Sequence, residues 1–352
     1  MTALSEVVVL MLRLGLTAFG GPAAHIAMLR QEVVVKRGWL TEQRFLDYLG
    51  IVNLIPGPNS TELMMHIALE RAGWRGLWFG GAAFILPAAS LTLLFALLYQ
   101  QFGTTPVATG ILLGIKPVVI AVVSQAIWGL MPTALKTSSL GVVASVAALG
   151  YWLGLNELLL LVILVTAHFF LTGWQKVVVL EPISLSLVFL LFLKIGATLY
   201  GSGYVLVAYL KNEFVLRGWL TEQQLLAAIA IGQLTPGPVF SSATFVGFQM
   251  AGFGGALLAT FGIFLPAFLL VWLTHAWLEK LRALPWTSRL LDTINAAALG
   301  LMLGVAVLLA RDAIFSVSTG LIALLAFLAL VQYKINSTWL LAIGALLGAV
   351  FA

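Results

Sequence analysis

Three cations and one carboxylate stand inside segments too apolar to hold charge without a reason. Arg13, Lys116 and Lys194 lie within long apolar runs, and Glu62 comes four residues after a Pro56-Gly57-Pro58 break. An ionisable group in a bilayer core costs about 2.5–3.5 kcal/mol on insertion scales and marks a functional position by default. Asn59, Ser60 and Thr61 follow Pro58. After a second break, Pro236-Gly237-Pro238, come Ser241, Ser242 and Thr244. These residue types suit a helix N-terminus. Free N–H groups and the positive dipole end attract an anion there. The glycine between two prolines, Gly57 or Gly237, lets backbone approach a ligand closely. Asn53 and Gln233 hold matching places just before the breaks. Cations beside helix N-termini suit a small dianion. Glu62 can take up and release a proton or simply balance an arginine. Plainer readings stand beside these: Arg13 snorkelling or paired with Glu32 or Glu62, and proline breaks that only bend helices.

The elements that must position these residues are membrane helices. The chain has 352 residues, 61% hydrophobic and 9% charged, so apolar runs of membrane-spanning length recur along it. Only helices or closed barrels satisfy the backbone in lipid, and the runs lack barrel alternation. The net charge of +5 is read as Lys and Arg held at a cytoplasmic face rather than as nucleic-acid binding. With no cysteine, disulfides, thiolate metal sites and cysteine nucleophiles are excluded. The N-terminal segment reads as a retained first helix rather than a signal peptide.

The chain repeats itself. RGWLTEQ stands at Arg37–Gln43 and again at Arg217–Gln223. RLGLTAFGGP (Arg13–Pro22) aligns with KIGATLYGSG (Lys194–Gly203), and the two PGP triplets align. The expected organisation is an N-terminal repeat over 1–172, a linker over 173–182 and a C-terminal repeat over 183–352. Each half opens with one helix (about 4–28 and 185–209), followed by the PGP region. A continuous helix over 41–71 would be roughly 46 Å long, too long for a core of about 30 Å. Proline also disrupts it. A hairpin of two arms of about 20 Å, entering and leaving on one side, fits better. Each half then crosses five times, and an odd count inverts the second. That arrangement puts twelve cations on one face and three on the other, against ten and five if the PGP regions span. The expected fold is therefore an all-α polytopic membrane protein of two inverted-topology repeats, about five transmembrane helices each, with a PGP-broken re-entrant helical hairpin in each. Both termini lie outside the cytoplasm. Inverted repeats with broken helices characterise secondary transporters, with the site at the repeat interface.

Under that inversion Arg13 and Lys194 approach one site from opposite sides. Lys116 adds a third cation, with Asn295 as its repeat partner, and Glu62 aligns with Ser242. Thr17–Pro22, with Gly20 and Gly21, reads either as close helix packing or as backbone amides lining the site. His25 follows that motif. His66, His168 and His275 read as structural or interfacial, and Asn156 and Asn336 as turn formers. Trp39 and Trp219 read as interface anchors, with Thr41 and Thr221 capping the next helix.

Phe19–Ala27 (FGGPAAHIA), Pro56–Asn59 (PGPN), the second PGP and the duplicated RGWLT resemble the chromate ion transporter family across both halves. The resemblance implies a multi-pass protein of the cell inner membrane that exports chromate, a tetrahedral dianion shaped like sulfate. Its motif residues map to Gly20, Gly21, Pro22, His25, Pro56, Gly57, Pro58 and Asn59. The second half departs at Ser202, Gly203 and Val239, which implies asymmetric roles. The candidate binding residues are then Arg13, Gly20, Gly21, His25, Asn53, Gly57, Asn59, Ser60, Thr61, Lys116, Lys194, Ser202, Gln233, Gly237, Ser241 and Ser242, with Glu62 for proton coupling. The expected partners are a chromate- or sulfate-like oxyanion and the lipid bilayer. A homodimer is left open, and no cofactor, metal or nucleic acid is expected. A sulfate or other oxyanion carrier and an anion channel on the same helix ends stay open. An enzyme is disfavoured, because neither HExxH nor GxSxG occurs.

Overall fold

The computed structural model describes residues 2–19, 21–52, 55–153, 184–199, 205–275 and 293–350, the last apart from scattered positions between 294 and 312. The described residues form helices and no strand. In chain order these are α1 (Ala3–Thr17), α2 (Gly21–Arg30), α3 (Glu42–Val52), α4 (Asn59–Phe102), α5 (Pro106–Ala134), α6 (Ser138–Trp152), α7 (Leu185–Thr198), α8 (Leu206–Leu210), α9 (Glu222–Leu234), α10 (Ser242–His275), α11 (Val317–Val331) and α12 (Ser337–Val350). Two compact units result, and each draws on both halves of the sequence. The first takes Met1–Gly103, Ser184–Gly203 and Ala228–Leu284; the second takes Thr104–Ile183, Tyr204–Ala227 and Pro285–Ala352. The linker 173–182 lies outside the described residues.

In the first unit α1 packs on α4, α7 on α10, and α4 on α10. Small residues let the backbones touch. A Cβ placed on Gly15 of α1 would sit 2.6 Å from the Phe84 carbonyl, and one on Gly196 of α7 would collide with the Ile263 carbonyl. These contacts fall at aligned positions of the two halves.

Helices α4 and α10 are long and apolar enough to cross a membrane, yet neither is straight. Ala72 and Gly73 leave helical geometry at φ/ψ −135°/19° and 63°/−160°, and Ala251 and Gly252 do so at −146°/30° and 60°/−149°. The chain doubles back at both places. A Cβ on Gly76 would strike the carbonyl of Ala68, and one on Gly255 that of Gly247. Eight residues of straight helix would separate those groups by about 12 Å. Thr244 and Thr260 hydrogen-bond through their hydroxyls at 2.7 Å across the second fold-back. Residues 59–71 are thus an arm of about 20 Å, short of a bilayer core.

That arm pairs with α3. Arg44 of α3 donates to Glu70 at 3.2 Å, Tyr48 donates to the same carboxylate, and the Tyr48 ring stacks on His66 at 5.3 Å. Contacts 44–70 and 48–66 run antiparallel about the Pro56–Pro58 turn, so the two arms form a helical hairpin.

The first helix of each half departs from expectation. In place of a continuous helix over 4–28, α1 stops at Thr17 and α2 restarts at Gly21, whose φ is 79°. In the second half α7 stops at Thr198. Thr17 and Thr198 each donate a hydroxyl to the carbonyl four residues back, on Arg13 and Lys194, at 2.7 Å. Such back-bonding weakens a helix end. Ala18 and Leu199 then adopt extended geometry at −83°/93° and −78°/111°. Beyond α2, the π-helical turn Gln31–Lys36 leads into the first RGWLTEQ. There Arg30 grips Glu42 with two bonds at 2.7 and 2.8 Å, and Arg37 and Arg71 lie over Trp39. Thr41 accepts the Arg44 N–H at 3.2 Å, the expected capping role.

The second unit is built on paired glycines. Gly110 and Gly114 of α5 face Gly344 and Gly348 of α12. A Cβ on Gly344 would lie 2.7 Å from the Gly114 carbonyl, and one on Gly348 would strike that of Gly110. Two small-xxx-small stripes thus bring these helices to backbone contact. Side-chain oxygens of Thr105, Thr137 and Ser316 cap α5, α6 and α11. Thr221 and Gln224 cap α9 reciprocally, at 2.8 and 3.1 Å.

Candidate functional site

The two PGP turns and the two broken first helices meet in the first unit, and they meet reciprocally. The Gly57 N–H donates to the Leu199 carbonyl at 2.8 Å, and the Gly237 N–H donates to the Ala18 carbonyl at 3.0 Å. Each turn of one half docks on the helix break of the other. The breaks supply the acceptors, because an extended cap residue at a helix end holds a carbonyl without an intrahelical partner. The glycines make the approach feasible. Gly57 has φ 139° and Gly237 φ 88°, where a side chain is strained. A Cβ on Gly57 would strike the Glu62 carboxylate, and one on Gly237 would come 3.0 Å from Ala88 and 3.3 Å from the Gly15 carbonyl.

Polar side chains line this junction. His25 is buried; its Nε2 bonds the Ala18 carbonyl at 3.0 Å, its Nδ1 lies 3.3 Å from the Ser60 hydroxyl, and its ring sits edge-on to Phe84. Ala18 therefore serves both His25 and Gly237. With Nε2 protonated toward Ala18, Nδ1 accepts from Ser60. Thr92 donates to the Ser241 hydroxyl at 3.2 Å, and Ser242 donates to the Val239 carbonyl at 2.9 Å. Thr61 and Glu62 are fully buried, and neither the Thr61 hydroxyl nor either Glu62 oxygen has a hydrogen-bond partner among the described residues. Pro58 and Pro238 occupy the N-cap positions of the helical segments that follow, without a side-chain cap. Asn59 is consequently the first helical residue and not the N-cap its type suggested. The arrangement offers neutral donors and a helix N-terminus to an anion, with one carboxylate beside them.

The family model described as chromate transporter matches residues 5–171 and, separately, 186–349. The chain belongs to the chromate transporter family. The chromate transport protein of Pseudomonas aeruginosa is 31% identical over 324 residues, 83% of this chain and 77% of that protein. The probable chromate transport protein of Synechococcus elongatus is 27% identical over 367 residues, 97% and 93% of the two chains. The chromate transport protein of Cupriavidus metallidurans is 27% identical over 372 residues, 99% and 93%. No solved structure matches the chain. Family membership and the apolar helices make this a multi-pass membrane protein of a transport family.

Within this family member, His25, Gly57, Ser60, Thr61, Glu62, Gly237, Ser241 and Ser242 gather around the two turns. Asn59 opens α4, Gly21 opens α2, and Gln233 is buried near the end of α9. Gly20, Asn53 and Ser202 lie outside the described residues. Arg13 takes a partner that the plainer reading allowed, Glu32. The Arg13 side chain is 60% exposed and lies 3.8 Å from Glu32, which also binds Lys36 at 2.7 Å and Arg37 at 3.4 Å. That carboxylate ties Arg13 to the π-helical turn. Lys194 is half-buried on α7, and Lys116 belongs to the second unit.

Sequence reasoning missed the Ala18 and Leu199 carbonyls. The doubled glycine with proline at Gly20-Gly21-Pro22 carried the signal of a helix break. The contact between His66 and His275, whose Nδ1 atoms lie 3.3 Å apart, had no signal in the sequence.

Proposed function

We propose that this protein is a secondary transporter that exports chromate across the cell inner membrane by alternating access. Its two halves are inverted repeats, and their PGP hairpins are re-entrant. The observation that carries the reading is the reciprocal pair of bonds, Gly57 to Leu199 and Gly237 to Ala18. Two equivalent turns held on two equivalent breaks give a junction that one repeat can open while the other stays closed, as in broken-helix carriers. The anion is held by the first turn of α4, by Ser60, Thr61 and His25, and from the other half by Ser241 and Ser242. Neutral donors and a helix end suit an oxyanion that must also leave.

Glu62 sets the charge of the cycle. An ionised carboxylate against the turn opposes a dianion, so anion and proton bind together and one net negative charge moves. With the cell interior negative, that charge leaving gains about 2.3 kcal/mol per 100 mV. The membrane potential therefore drives export.

The test is uptake of labelled chromate and sulfate into inverted vesicles with imposed voltage and pH gradients. Saturable chromate uptake rising with inside-positive potential is expected. Flux that never saturates would make this an anion channel, saturable sulfate uptake without chromate would reassign the substrate, and no flux of either would end the reading.

A further inference from the structure

Three titratable side chains outside the anion junction, His66, His275 and Glu70, lead from Glu62 toward the protein surface. Glu62, His66 and Glu70 sit at i, i+4 and i+8 of one arm and so share one face, neighbours one turn apart. His66 is buried; its Nδ1 lies 3.3 Å from Nδ1 of His275, at the end of α10. The rings stack with centroids 5.6 Å apart, and Tyr48 of α3 stacks on both, at 5.3 and 5.7 Å. His275 Nε2 lies 4.0 Å from Glu70, whose side chain is 32% exposed. Glu70 also receives Tyr48 and Arg44 of α3. Among the described residues, these are the charged and titratable groups that face the pair from its own helix, from α3 and from α10. At the inner end, His66 Nε2 and both Glu62 oxygens are buried with no partner among the described residues.

The second half lacks the whole arrangement. Counted back from the matching kinks at Ala72 and Ala251, the places of Glu70, His66 and Glu62 are held by Gln249, Phe245 and Ser241. The docked turn and the kink do not require these groups, because the other half has both without them.

We propose that Glu70, His275 and His66 form a proton path from the surface to Glu62, a path that rests on Glu62 as the proton-coupling group. A proton taken up at Glu70 passes to His275 Nε2. His275 releases its Nδ1 proton to Nδ1 of His66, and His66 releases its Nε2 proton to Glu62. Each imidazole gains one proton and loses one, leaving in the other neutral tautomer, and reorientation of the rings resets the path. One proton moves inward and no charge is left on either ring. Tyr48 holds the two rings in register, and Arg44 holds Glu70 at the entrance.

The test uses the purified full chain in liposomes containing a pH-sensitive dye, with labelled chromate. Three variants are compared with the wild type: E62Q, H66F, which copies the aromatic of the second half, and H275Q. The path predicts that H66F and H275Q keep chromate–chromate exchange, which needs no net proton movement. It also predicts that chromate-linked proton movement falls at least tenfold in both. Proton movement at the wild-type rate in either variant, with E62Q impaired, overturns the path and leaves Glu62 as the coupling group. Wild-type proton movement in E62Q, or none in the wild type during chromate transport, overturns the coupling reading and the path with it. Should H66F lose exchange through misfolding, H275Q decides, since that ring is only half-buried.

Discussion

Gly57 and Gly237 show how much of the site is backbone. Neither contributes a side chain, yet each presents an N–H that a neighbouring carbonyl accepts, at a φ that side chains rarely adopt. Forcing a side chain there costs about 1–3 kcal/mol in strain alone. At Gly57 the added methyl also meets Glu62. Gly57→Ala is expected to reduce chromate flux by about tenfold or more at unchanged expression, measured in vesicles; wild-type flux would return the turn to a scaffolding role. Glu32 illustrates the opposite kind of residue. The Lys36 ammonium bonded to it holds its carboxylate below the usual range against the opposing effect of burial, with Arg13 and Arg37 adding to the lowering. Because the folded-state pKa is depressed, the stabilisation is complete above the ordinary carboxylate value of about 4.3 and fades as pH falls through the lowered one. A thermal-melt series against pH should show an acid limb that is shallower in Glu32→Gln than in the wild type. Identical limbs would count against the cluster as a stabilising feature.

At the scale of elements, small residues decide which helices approach. Gly110, Gly114, Gly344 and Gly348 place α5 and α12 in backbone contact. Gly114→Leu should destabilise by about 1–3 kcal/mol or more through overpacking, read as a lowered melting temperature in detergent. An unchanged melting temperature would mean the helices can part freely. The all-helical class and both PGP breaks were legible in the residues, because proline acts locally. The break of the first helices was half legible. Gly20-Gly21-Pro22 announces it, but the apolar run on both sides reads as one span. The partner of Arg13 was legible as a choice between Glu32 and Glu62; Glu32, nineteen positions away, is the one that the turn after α2 brings back to α1. The pairing of His66 with His275 was hidden, since 209 positions separate them and only the packing of α4 on α10 joins them.

On the scale of the whole molecule, the sequence halves and the compact units cut the chain differently. Each unit draws segments from both halves. If the halves are inverted, the same motif faces opposite compartments. The chain has no cysteine, so single reporters need no background removal. Gln43→Cys and Gln223→Cys, at the ends of the two RGWLTEQ copies, should react with an impermeant thiol reagent from opposite sides of the membrane. Labelling from one side would make the repeats parallel.

The central claim is that the two docked turns hold the anion. Crystals of the protein grown with chromate, measured at the chromium absorption edge, locate the metal of the oxyanion directly. The account predicts an anomalous peak beside the first turn of α4, within reach of Ser60 and His25. A peak beside Arg13, Lys36 and Arg37 instead, with none at the turns, would contradict it.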